Sequence, residues 1–78
     1  MEDKCVQQLN VLCEAPESHI DKSIKLRLEN MRERPNDNVL NNINDILDDC
    51  ARYSLASDFA MAALMNFKTS ILNDIEQY

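Results

Sequence analysis

Glycine and tryptophan are absent from this 78-residue chain, and Pro16 and Pro35 are its only prolines. Without glycine the chain has no inexpensive route into positive φ. Glycine-rich phosphate-cradling loops are therefore excluded, and so is the calcium loop that turns on a central glycine. Aromatic residues make up 5% of the sequence, and no segment alternates polar and apolar residues with period two, which rules out an all-β fold. No apolar run reaches 18 residues, so no membrane insertion is expected. His19 is the one histidine. Nucleophilic catalysis needs a convergent nucleophile and base, usually a histidine. A lone histidine at a helix start fits a surface or capping role, and the chain is expected not to be an enzyme.

Basic residues are also in short supply. Eight lysines and arginines face fourteen acids, for a net charge of −6. Nucleic-acid binding needs a basic face to neutralise phosphates. The one basic cluster, Lys22, Lys25, Arg27, Arg32 and Arg34, is interleaved with Asp21, Glu29 and Glu33, the pattern of a solvated helix face. No nucleic acid is expected as a partner. The three cysteines, Cys5, Cys13 and Cys50, are odd in number and widely spaced. They form neither a closed disulfide framework nor a zinc site, and they read as small apolar packing residues. Asp45, Asp48 and Asp49 lie on the polar side of an amphipathic stretch and read as solvated acids. No metal or cofactor is expected.

What remains is helical periodicity. Residues 2–15 carry Val6, Leu9, Leu12 and Cys13 at 3–4 spacing, a short helix that would be marginal alone and frayed until docked. Residues 18–34 carry Ile20, Ile24, Leu28 and Met31 on one stripe. Ser18 serves as the expected cap, with Asp21 as a first-turn anion. Pro35 ends that helix, and residues 35–38 form a turn in which Asp37 is the expected cap of the next. A connection this short favours an antiparallel hairpin.

Residues 38–78 contain no proline or glycine. A seam runs Leu40, Ile43, Leu47, Cys50, Ser54, Ser57, Met61, Leu64, Lys68, Ile71, Ile75, Tyr78 in steps of three and four. One uninterrupted helix here would be roughly 60 Å long at 1.5 Å per residue. A bend near 54–58 would leave one helix; the alternative is a break there into two, with Ser57 or Asp58 capping the second. Residues 59–67 are apolar nearly all round, more than one stripe from residues 18–34 can cover. That mismatch points to further protein partners. The expected fold is a single all-α domain: a helical hairpin with a short extra N-terminal helix and a long C-terminal one.

Several short motifs resemble the needle proteins of bacterial type III secretion systems. Pro16 and Pro35 are spaced as two prolines are in some members. Asp21-Lys22-Ser23-Ile24 resembles an Asn-Lys-small-aliphatic run, and Pro35-Asn36-Asp37 followed by Val39-Leu40 resembles the family's loop and second helix start. Lys68, Ile75, Gln77 and Tyr78 resemble its terminal pattern. The likeness spans about residues 15–78. Asn38 stands where many members carry a second loop proline, and three cysteines with no glycine depart from the family. The resemblance implies a structural subunit that polymerises into a protein-export conduit; an inner-rod relative or an export chaperone stays open beside it. It implies packing and partner contacts at Leu40, Ile43, Leu47, Phe59, Leu64, Phe67, Ile71, Ile75 and Tyr78.

The alternative function is a small acidic helical adaptor or secretion chaperone that binds a partner helix, since residues 50–63 also resemble tetratricopeptide-like and microtubule-interacting-and-transport helices. A third reading is an inhibitor that mimics nucleic acid with Asp45, Asp48, Asp49 and Asp58. Met1-Glu2-Asp3-Lys4 opens no signal-like segment. The expected location is the cytoplasm as synthesised, with export by a route that uses no cleavable signal left open. Expected partners are proteins, through self-association or a hetero-complex with other helical proteins.

Overall fold

The computed structural model describes residues 3–34 and 38–76. They form four helices: α1 Asp3–Glu14, α2 Lys22–Glu33, α3 Val39–Tyr53 and α4 Asp58–Glu76. The all-α class is as the periodicity predicts. α1 packs on α2 and α4, and α3 packs on α2 and α4, so the helices form a closed ring. The bundle measures 36 × 21 × 18 Å.

The uninterrupted helix over 38–78 does not form; the alternative, two helices, does. The break needs a residue in the left-handed region, and Ser54 supplies it at φ 56°, ψ 47°. With no glycine available, a small polar residue bears that strain, about 1–2 kcal/mol for a residue with a Cβ. The Ser54 and Leu55 N–H groups both donate to the Cys50 carbonyl and close the end of α3. Ser57 then caps α4, its Oγ accepting the Ala60 N–H at 3.1 Å. Breaking the helix folds α4 back on α3 and buries both apolar faces, which a straight helix some 60 Å long could not do within one short chain.

α2 starts four residues later than the sequence suggests. Residues 16–20 form a turn in which the His19 and Ile20 N–H groups donate to the Pro16 carbonyl. Asp21, not Ser18, is the cap: its carboxylate accepts the Ser23 N–H at 3.0 Å and the Ser23 hydroxyl at 2.6 Å. The Asp21 N–H donates to Leu55 and the Ser57 N–H to His19, both at 2.8 Å, making an isolated antiparallel bridge between Ile20 and Ala56. This bridge ties the α1–α2 connection to the α3–α4 connection. Asn38 takes the cap position of α3, and Pro35, Asn36 and Asp37 lie outside the described residues.

The Ser23 bonds hold the Asp21 carboxyl below the usual aspartate range. A carboxyl with a lowered folded pKa stabilises the fold above its unfolded pKa, and that contribution is lost as pH falls through the lowered value. Acid unfolding followed by circular dichroism should therefore shift to higher pH in Asp21→Ala. Asp21→Asn should keep the cap at neutral pH and lose the acid dependence. Identical acid midpoints in all three proteins would remove Asp21 from the account.

The core draws on every helix. Cys5, Leu9, Leu12 and Cys13 of α1, Ile24, Leu28 and Met31 of α2, Val39, Ile43, Ile46 and Cys50 of α3, and Ala60, Leu64, Phe67 and Ile71 of α4 are buried, with Ile20 of the connecting turn. α1, expected to be marginal alone, is thus docked within the chain as a wall of the core. Its packing also answers much of the mismatch in residues 59–67, because α4 is covered on one side by α3 and on another by α1.

Among the described residues one buried side-chain polar atom is unsatisfied. Gln8 Oε1 is buried and has no hydrogen-bond partner. Leaving a buried acceptor unpaired costs about 1–3 kcal/mol. Gln8→Met keeps the length of the side chain and removes the acceptor. It should stabilise the protein by about 1 kcal/mol, raising the melting temperature by roughly 4–8 °C. A melting temperature that falls would show that the carboxamide is held by a bond that the methionine cannot replace.

Candidate interaction groove

Two exposed apolar side chains stand on neighbouring helices near one end of the bundle. Val11 of α1 is 65% exposed and Phe59 of α4 is 75% exposed. Both line a groove of about 310 Å³, together with Leu12, Pro16, His19 and Ala63. The local sequence explains why the groove exists. α4 presents Ala60 and Ala63 where larger residues would fill the space against α1, and α1 ends at Glu14 before Pro16 turns the chain away. The floor is Leu12, Ile20 and Ala60, all buried core residues.

His19 fixes the wall. Its Nδ1 lies 2.9 Å from Ser57 Oγ, its carbonyl accepts the Ser57 N–H, and its ring sits 5.7 Å from the Phe59 ring at a 49° tilt. Phe59 is thereby supported on one side and open on the other. The capping role expected of His19 becomes a clasp between two connections.

The charges on the two stretches of chain that build the groove are all of one sign. Residues 5–21 contain no lysine or arginine, and neither do residues 53–67. Glu14 lies in the groove wall, Glu17 and Asp21 line the adjoining concavity of about 270 Å³, and Asp58 precedes Phe59. Glu14 stands at the C-terminal end of α1, which has no basic residue in its last turn. The helix dipole favours cations there, so this carboxylate sits at the unfavourable end.

A larger concavity of about 450 Å³ lies between the end of α2 and the start of α3. Arg27, Asn30, Arg34 and Asn42 make it polar, and Arg27 is already paired with Asp49 at 2.7 Å. It has the character of a solvated cleft. Two arginines of α2 reach neighbouring helices: Arg27 through that ion pair with α3, and Arg32 Nη1 by donating to Asn10 Oδ1 of α1 at 3.3 Å.

No set of three His, Cys, Asp or Glu side chains is placed to hold a metal among the described residues, and no described helix is long and apolar enough to cross a membrane. All three cysteines are buried. Burial pushes the Cys13 and Cys50 thiols above their usual range, even with Arg32 and Arg27 respectively pulling the other way. Raised, buried thiols are poor nucleophiles.

The residues expected to carry packing and partner contacts divide into three groups. Ile43, Leu64, Phe67 and Ile71 are buried in the chain's own core, and Leu40 and Leu47 are half-buried against it. Phe59 alone stands open. The Ile75 side chain and Tyr78 lie outside the described residues. Val11, Pro16 and His19 are groove residues that the stripe pattern missed. Val11 sits off the apolar stripe of α1, and only its pairing with α4 gives it a role. No family model matches the chain, and neither a curated protein nor a solved structure matches it.

Proposed function

We propose that the protein is a non-catalytic helical interaction module that docks a partner segment in the groove between α1 and α4. The carrying observation is that two of the exposed apolar side chains, Val11 and Phe59, line one apolar groove together. Helix-in-groove recognition uses such a site, with apolar anchors of the partner set into a hydrophobic slot. An adaptor or secretion chaperone that binds a partner helix is the functional class this supports.

The reading as a polymerising export subunit of the type III needle kind is weaker. It asks Ile43, Leu64, Phe67 and Ile71 to pack between copies, and in the closed bundle they already pack within one. Sedimentation velocity across a hundredfold concentration range separates the two. The adaptor reading expects a monomer throughout. Assembly that grows with concentration would overturn it in favour of the polymer. Peptides selected from a helical library should shift the Val11, Leu12 and Ala63 methyl resonances and lose affinity in Phe59→Ser. Binding unchanged by that substitution would move the site elsewhere.

A further inference from the structure

We infer that the segment taken by this groove is cationic: an amphipathic helix with an aliphatic or aromatic anchor between Val11 and Phe59 and lysines or arginines flanking it. The inference rests on the docking role proposed above and adds the partner's chemistry.

The argument is one of charge complementarity. The groove is built by the two stretches of chain that lack any basic residue, 5–21 and 53–67. Glu14 lines it, Glu17 and Asp21 line the adjoining concavity, and Asp58 precedes Phe59, with no lysine or arginine from either stretch. The basic residues are gathered instead on α2 and at its end, where Lys22, Lys25, Arg27, Arg32 and Arg34 make five of the chain's eight. Neither ion pair found among the described residues involves a groove acid; both acids, Asp48 and Asp49, are on α3. Glu14 adds its charge to the negative end of the α1 dipole, so a cation placed against it meets two favourable fields at once.

The same acids argue against a second copy of this chain as the occupant. A symmetric pair joined at this face would bring Glu14, Glu17 and Asp58 of one copy toward the same carboxylates of the other, and like charges across an interface suppress pairing. An acidic partner is disfavoured on the same ground.

Three designed helices with one leucine stripe, flanked by lysine, glutamine or glutamate, test the inference by methyl and amide NMR titration. The lysine-flanked helix should bind at least tenfold tighter than the glutamine-flanked one at low salt, and the glutamate-flanked helix should bind weakest. The difference should collapse in 1 M salt, where the screening length is about 3 Å. Glu14 and Glu17 are exposed, and reversing both in Glu14→Lys, Glu17→Lys should turn the preference toward the glutamate-flanked helix. Equal affinities for all three helices, with the Val11 and Ala63 methyls still shifting, would overturn the cationic partner and leave the groove standing. No shift at those methyls with any helix would overturn both readings. The salt series needs no variant, so it decides the matter even if the double substitution unfolds the protein.

Discussion

Phe67→Ala is expected to cost about 3–5 kcal/mol, the range for truncating a fully buried aromatic. Phe67 is completely buried in α4 and is among the largest side chains of the core. A domain of this length has roughly 4–12 kcal/mol of stability in all, at 0.05–0.15 kcal/mol per residue. The substitution should therefore lower the melting temperature by some 12–40 °C, at about 4–8 °C per kcal/mol, or leave the chain unfolded at room temperature. Phe59→Ala is the matched control. Phe59 is mostly exposed, so its loss should fall within about 0.5 kcal/mol of zero. Urea unfolding of the two variants gives the comparison directly. Equal losses would mean that Phe59 is packed and that the groove is closed in solution.

Leu9→Ala carries the second large effect, about 2–5 kcal/mol. Leu9 is almost wholly buried and sits on the helix the periodicity marks as marginal. If α1 frayed until a partner docked, truncating Leu9 would barely change unfolding measured by the signal of the whole bundle. In the closed ring α1 covers α2 and α4 together, and its loss exposes both. A single cooperative transition shifted to lower urea is the expected record. A small early transition followed by an unchanged main one would return α1 to a peripheral role.

The contrast between Phe67 and Phe59 shows how far the sequence could be read. Ile20, Ile24, Leu28 and Met31 stood on one stripe at helical spacing, and all four are buried. Ser57 and Asp58 were both visible as caps, because their residue types and their place before an apolar run signal a helix start, and the structure gives the role to Ser57. The two phenylalanines were not separable, since residues 59–67 are apolar in nearly every direction and periodicity cannot say which direction α1 covers. The break at Ser54 was only half visible. The three-four seam runs straight through Ser54 and Ser57, and nothing local forces a serine into the left-handed region. Tertiary burial of α4 against α3 decides it. The groove needed the pairing of α1 with α4, a contact between the two ends of the described chain. Val11 is an unremarkable exposed valine until Phe59 stands beside it.

That pairing of first helix with last sets a limit on what the architecture can become. Solenoids lengthen by stacking repeats on an open end, and their stability grows as a sum over neighbours. A ring closed by α1 against α4 offers no such end, so a fifth helix has no vacant position in the core and any partner must be accommodated on the outer surface. Removing one helix opens two interfaces rather than one, which makes the four helices a single all-or-none unit. Among the described residues, the connections at 15–21 and 54–57 are already committed to the bridge between Ile20 and Ala56. A change in the length of either would disturb the ring and the groove together.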